Sequence, residues 1–372
     1  MRKGHIYILY IWLKKKVLGR LLASKKFSII IGNPPYGATY PETDKKYFKE
    51  HYKSAKTISG VQKGSLDTYT LFIEQGFELL KTNGNLSYIV PISITSSDSM
   101  TGVHNLLENS CSLIKVSSYA VRPQPVFENA VVNTSILFFK KDEQQNKKIL
   151  ATKMYRKNKN FNLQHLNNLQ FIDVKDVKLI GRYPKISFEM EKIILKKIFS
   201  QEKNIGDLIK EKGNPIWYRF AGGRYFKVIT NYATNSSAER VIYFDKKNAN
   251  SIGAVLSSNL YFWFYQIFSD NLNLKQYEID SFGVPNLNDE IIQDLEKLYS
   301  DYLIDIEKNA NIRTTSGKSS YNVSEFKEYK IGKSKHIIDK IDDLICPLYG
   351  LTQEETDFIK NYEIEFRLSD NE

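Results

Sequence analysis

The run Phe27 to Ile31 (FSIII), closed by Gly32 and followed by Asn33-Pro34-Pro35-Tyr36, constrains this chain more than any other stretch. A continuous apolar, β-branched run has no polar face to turn to water, so it is expected as a parallel strand covered on both sides. The two prolines then stop the ladder. Each fixes its own φ and biases the residue before it towards an extended conformation, which holds Asn33 and Pro34 out of helix and leaves the Pro34 carbonyl free. In an open parallel sheet, ligands bind beyond the carboxyl ends of the strands, and that is where these four residues fall.

Downstream the pattern alternates. TYTLFIEQGFELLKTNG, from Thr68, reads as an amphipathic helix with Gly84 as its stop. NLSYIVP, ending at Pro91, then Ser112 to Val121 and Asn133 to Lys141 read as strands. Strand and helix in alternation indicate an α/β layer structure. From Asp142 to about Asn168 the chain turns rich in Asn, Gln and Lys, and a boundary is placed there. Beyond it, IWYRFAGGRYFKVIT reads as a hairpin around Gly222 and Gly223, Ser251 to Phe268 is apolar at helical spacing, and Asn286 to Lys308 reads as a long helix. Two short C-terminal helices follow, the second capped by Thr352 with Glu355 three residues on.

At 372 residues the chain is long enough for two domains, and 42% hydrophobic with 26% charged residues is the balance of a soluble globular protein. Lys and Arg exceed Asp and Glu by 53 to 42, so the surface should attract polyanions, with nucleic acid first among partners. Cys111 and Cys346 form no CxxC pair and the five histidines lack ligand spacing, so no metal site is expected. The apolar run Ile6 to Leu13 is well short of the roughly 20 residues that span a bilayer. A cytoplasmic location without membrane contact is expected.

The chemistry of Asn33 to Tyr36 suits an exocyclic amine. Such a nitrogen is a poor nucleophile because its lone pair is delocalised into the ring. The Asn33 amide oxygen and the Pro34 carbonyl could each accept one N–H and favour tetrahedral geometry, while the Tyr36 ring offers a face for an extruded base. A Pro-Pro turn with a filler tyrosine remains the structural alternative.

IGNPPYG resembles motif IV of the amino-methyltransferases that use S-adenosylmethionine, and Asp67 to Pro91 resembles the helix and strand that follow it in the adenine-specific branch. Val126 to Lys141 is similar to motif VIII, with Phe127 at the position whose ring packs on the flipped adenine. Ser258 to Pro285 and residues 317–367 resemble the recognition and C-terminal regions of the Eco57I-like restriction-modification methylases. The resemblance implies part of a Rossmann-like class I methyltransferase sheet, then an α+β target-recognition domain with C-terminal helices. It implies a site-specific, adenine-specific DNA methyltransferase of a restriction-modification system, with S-adenosylmethionine as cofactor and double-stranded DNA as partner.

The expected layout is a basic N-terminal segment, 1–26, read as a remnant; the catalytic half of the methyltransferase domain, 27–145; a linker, 146–175; the target-recognition domain, 176–290; and a helical region, 291–372. Residues 175–285 are expected to read DNA, with Arg219, Arg224 and Lys227 as contacts. The family's Gly-rich turn and ribose-binding carboxylate normally precede motif IV. Residues 1–32 contain only Gly4, Gly19 and Gly32 and no acidic residue, so most of the cofactor site is expected to come from a separate polypeptide. IDVKDVK (Ile172 to Lys178) is too thin a match to a nuclease, and no DNA cleavage is expected. Two other readings stay open: a non-catalytic DNA-specificity or assembly subunit, and a protein-glutamine or RNA amino-methyltransferase.

Overall fold

The computed structural model describes residues 26–37, 39–56, 64–127, 131–142, 147–157, 163–222, 226–314 and 325–368. The basic segment read as a remnant lies, but for Lys26, outside the described residues. The chain divides into two compact units, Met1–Glu189 and Met190–Glu372.

The first unit is built on a six-stranded sheet of order β1-β2-β4-β3-β5-β6. The strands are β1 (Phe27–Gly32), β2 (Leu80–Pro91), β3 (Cys111–Tyr119), β4 (Thr134–Lys141), β5 (Lys148–Tyr155) and β6 (Ile172–Asp173). β1 and β2 are parallel, as are β3 and β5, while β4 runs antiparallel between β2 and β3. It follows that β1, β2, β3 and β5 point the same way, and their carboxyl ends at Gly32, Pro91, Tyr119 and Tyr155 share one edge. The α/β class expected from the alternating pattern is what forms.

Helices α1 (Glu42–His51), α2 (Thr68–Leu79) and α3 (Thr101–Ser110) belong to this unit. Almost every residue of α2 is buried, including Tyr69, Leu71 and Ile73. It lies close against β2 because Gly76 has no side chain: a Cβ there would sit 2.4 Å from Leu86 Cδ1 and 2.9 Å from Tyr88 Oη. The helix ends at Leu79, earlier than Gly84 suggested, because Leu80 already starts β2. Sheet pairing there outweighs the local stop signal.

β1 departs from the burial its sequence type calls for. Among the described residues it pairs only with β2. Phe27, Ile29 and Ile31, alternate residues on one face, are 39%, 65% and 79% exposed. Ile30 is half-buried on the other face.

The stretch 146–175, expected as a linker, instead holds β5 and β6 of this sheet. Its Asn- and Lys-rich ends conceal KILATKMY, in which Ile149, Ala151, Thr152 and Met154 are buried. Behind the sheet, His104 on α3 is buried and stacked on Tyr183, with ring centroids 4.0 Å apart, and its Nε2 bonds the Ile94 carbonyl at 2.7 Å. Burial draws its pKa down to about 4, against an upward pull from nearby Glu108.

The second unit centres on a three-stranded antiparallel sheet, β10-β8-β9. After α4 (Glu189–Phe199) comes β7 (Lys203–Asn204), then β8 (Asn214–Arg219), β9 (Ile229–Thr230) and β10 (Glu239–Phe244). Trp217 and Tyr218 of β8 face Thr230 and Ile229 of β9, which forms the hairpin read from the Gly222-Gly223 pair. The apolar stretch Ser251 to Phe268 divides into α5 (Ala249–Ser257) and α6 (Asn259–Phe268). Ser258 makes the break, its Oγ accepting from Tyr261 N at 3.0 Å as the cap of α6.

The unit also includes β11 (Gly283–Val284), α7 (Asp289–Lys308), β12 (Asn311–Thr314), β13 (Glu325–Glu328), α8 (Lys335–Ile345) and α9 (Gln353–Asn361). β12 and β13 pair as an antiparallel ribbon within the region expected to be helical. Asp342 on α8 is fully buried and accepts from Asn259 N, Asn259 Nδ2 and Leu260 N, closing the start of α6 with a carboxylate. The capping box of Thr352 and Glu355 forms at α9.

Two outcomes test this account. Leu86→Ala, at a fully buried position, should cost about 2 to 5 kcal/mol in urea unfolding, whereas Ile31→Lys should change stability by no more than about 0.5 kcal/mol. For His104, the folded pKa of about 4 lies below the ordinary 6.5. The unfolded chain therefore takes the proton first, and this contribution to stability is complete above pH 6.5 and lost as pH falls towards 4. His104→Gln should flatten the pH dependence in that window by about 2 kcal/mol, read from urea midpoints at both ends.

Candidate active site

The end of β1 carries the four residues singled out by sequence. Gly32 pairs with Tyr88 of β2, so Asn33 to Tyr36 emerge beside the carboxyl end of β2. Asn33 is exposed, Pro34 is buried, and Pro35 and Tyr36 are half-buried. The prolines root the turn in the protein and leave the asparagine amide facing outward.

Tyr36 braces the turn. Its hydroxyl lies 2.7 Å from Asn33 Oδ1 and 2.9 Å from the Ile89 carbonyl, and its single proton serves one acceptor at a time. Burial pushes the Tyr36 pKa up to about 12, so the hydroxyl keeps that proton at neutral pH. Its ring meets Tyr69 edge to face, with centroids 6.4 Å apart. Tyr69 is completely buried, hydrogen-bonded to Ser93 Oγ at 2.7 Å and donating to Met100 Sδ at 3.0 Å.

Gly37 leaves the turn with φ near +64°, a conformation that glycine adopts without a Cβ clash. Its N–H donates to Asp67 Oδ1 at 3.3 Å. Asp67 stands at the cap position of α2, yet its side chain reaches the loop rather than the helix. Burial raises its pKa, and the Gly37 bond opposes that. In the sequence, Asp67 and Tyr69 read only as part of a helical segment. Their supporting role depends on α2 lying under the loop, which no local pattern records.

The β3–β4 connection closes the same edge of the sheet. Asn133 Oδ1 accepts from Val121 N at 2.7 Å, and its carbonyl accepts from Ile92 N at 3.0 Å, which ties this connection to the end of β2. Phe127 lies within the connection and is half-buried.

Residues 9–127, which contain this turn and its supports, match the family model described as Eco57I restriction-modification methylase. Through that segment the chain is similar to the Eco57I restriction-modification methylases. It is 30% identical over 141 residues to the type II restriction enzyme and methyltransferase RM.Eco57I of Escherichia coli, covering 37% of this chain and 13% of that protein. It is 27% identical over 184 residues to the putative type II restriction enzyme and methyltransferase RM.MjaORFECS2P of Methanocaldococcus jannaschii, covering 47% and 14%. The chain therefore spans about a seventh of the length of these relatives or less. Among solved structures, the ATP-dependent type ISP restriction-modification enzyme LlaBIII bound to DNA is matched over 94% of this chain and 37% of that one, with a TM-score of 0.42 and 10% identity.

The family match ends before the DNA-contact candidates. Arg219, on β8, is turned inward: its Nη2 donates to Thr234 Oγ1 and to the Lys327 carbonyl, both at 3.2 Å, and its guanidinium lies 5.1 Å from the centre of the Tyr329 ring. Lys227 is buried, donates to the Gly222 carbonyl at 3.1 Å and sits 4.5 Å from the centre of the Tyr265 ring. Burial lowers its pKa to about 8, with Asp270 and Glu278 pulling the other way. Both side chains hold the hairpin from inside. Arg224 lies outside the described residues. Among the described residues no group of three or more His, Cys, Asp or Glu could hold a metal ion, and no helix is long and apolar enough to cross a membrane.

Removing the hydroxyl alone tests the brace. Tyr36→Phe keeps the ring but loses the bond to Ile89, and thermal or urea unfolding should show a loss of about 1 kcal/mol. An unchanged stability would mean that the prolines hold the turn unaided.

Proposed function

We propose that this chain is the amine-binding and DNA-recognition part of an adenine-specific DNA methyltransferase, transferring methyl from S-adenosylmethionine to adenine N6 within a restriction-modification system. The observation that carries the reading is the exposed Asn33 amide at the carboxyl end of β1, in a turn rooted by Pro34 and braced by Tyr36 on Ile89. Asn33 Oδ1 and the Pro34 carbonyl each accept one N–H of the extruded adenine. The nitrogen then takes on tetrahedral character and its lone pair is released from the ring, a case of positioning with fixed dipoles. The rings of Tyr36 and Phe127 receive the base, Phe127 from the connection that closes the same edge of the sheet.

Half-turns of the Asn33 amide exchange its oxygen and nitrogen. With the Tyr36 proton on the Ile89 carbonyl, the hydroxyl oxygen can accept from Asn33 Nδ2, and Oδ1 is then turned outward for the substrate.

The described residues do not by themselves fit the cofactor: no glycine-rich strand-to-helix turn with a ribose-binding carboxylate stands at the carboxyl edge of the sheet. We assign that part to strands and helices supplied by a separate polypeptide or another segment on the open side of β1, where Ile29 and Ile31 are exposed. A parallel strand of this sequence type is stable when covered on both faces. Cytoplasmic location fits a reaction on chromosomal DNA.

Asn33→Ala should cut N6-methyladenine formation by about a hundredfold to a thousandfold, with duplex binding retained. The measurement is methylation of total DNA in cells expressing this chain together with the cofactor-binding polypeptide. Turnover within a few fold of the wild type would sink the assigned role. Calorimetry on this chain alone should show no S-adenosylmethionine binding, and saturable binding would locate a cofactor site within it.

A further inference from the structure

We propose that the ribbon β12–β13 is a duplex-DNA reading element, with Asn311 and Arg313 as the side chains that meet the nucleic acid. The inference rests on the DNA-directed reading above and assigns recognition to residues outside 175–285.

The described side chains of the ribbon lie at the surface. Asn311, Ile312, Arg313 and Lys327 all face solvent, Ile312 at 71%, and among the described residues the two strands pair only with each other. An isolated two-stranded ribbon is marginal by itself. This one is held at its base by a compact polar network. The Tyr329 and Tyr232 hydroxyls donate to Glu307 Oε1 at 2.6 and 2.7 Å, and Lys327 Nζ reaches Glu307 Oε2 at 2.5 Å. Arg219 adds its bond to the Lys327 carbonyl and its stacking on Tyr329. The fold thus secures one end of a strand pair that carries Asn311, Ile312 and Arg313 at the surface.

The exposed chemistry fits DNA. Asn311 and Arg313 are two apart on one strand and therefore share a face. An amide and a guanidinium are the groups whose paired donors and acceptors match adenine and guanine edges, and the major groove admits a two-stranded ribbon. In the DNA-free protein their partner is Glu328: Arg313 Nε donates to it at 2.9 Å, and both Arg313 and Asn311 draw its pKa down. The Glu328 carboxylate stands where a phosphate or a base acceptor would. The two strands and the residues just after them carry Arg313, Lys327 and Lys330 against Glu325 and Glu328, within a chain of net charge +11. Polyanion attraction is built into the ribbon and its surroundings.

The test is fluorescence anisotropy on the full chain with a labelled mixed-sequence duplex of about 30 base pairs, over a salt series. The double variant Asn311→Ala/Arg313→Ala should bind about tenfold or more weakly, with the slope of log Kd against log salt reduced by about 1. Glu328→Gln should bind several-fold more tightly, a gain that misfolding cannot produce. Lys297→Ala, an exposed charge on α7, is the charge-matched control and should change binding least. Wild-type affinity and salt slope in both the double variant and Glu328→Gln would overturn the ribbon assignment and leave the methyltransferase reading standing. Failure of the wild type to bind duplex at low salt would overturn both.

Discussion

The pairing of β1 with β2 in parallel register is the constraint on which the candidate site depends. It sets Gly32 beside Tyr88, and so brings the Asn-Pro-Pro-Tyr turn to the carboxyl end of β2. The Ile89 carbonyl then lies within reach of Tyr36. Without that register the two prolines would still stiffen the chain, but the turn would have no fixed support. α2 completes the support from below, since Gly76 admits it against Leu86 and Tyr88 and the helix start delivers Asp67 to Gly37. A local turn gains fixed supports because β2 and α2, both distant in sequence, converge on it.

The reversed strand β4 extends the same logic. Inserted between β2 and β3, it lets the β3–β4 connection return along the carboxyl edge, so Phe127 and Asn133 belong to the edge that carries Asn33. The open face of β1 is the counterpart of this order. Its apolar side chains at Phe27, Ile29 and Ile31 are exposed, which is a liability for an isolated sheet.

In the second unit, basic residues near the hairpin work differently from their appearance in sequence. Arg219 and Lys227 are held by carbonyls and aromatic rings, where they secure strands from within. Long basic side chains have apolar stems and many donors, so the same residue type serves a surface or an interior. The choice is set by what surrounds the residue in space. Tyr329 and Lys327, more than a hundred residues beyond Arg219, make that choice here.

How much was legible follows from the range of each interaction. FSIII, NPPY, the Ser251 to Phe268 apolar run and the Thr352–Glu355 cap are local, and their chemistry predicts strand, turn, helix and cap without reference to the rest of the chain. The sequence by itself determined the α/β character of the first unit and the position of Asn33 to Tyr36 after a strand. The tertiary structure alone decided that KILATKMY joins the first sheet, that Asp67 and Tyr69 brace the turn, that Arg219 faces inward, and that β12 and β13 pair as a ribbon. The physical reason is the same in each case: hydrogen-bond partners and burial are properties of neighbours in space, and those neighbours lie tens to more than a hundred residues away in the chain.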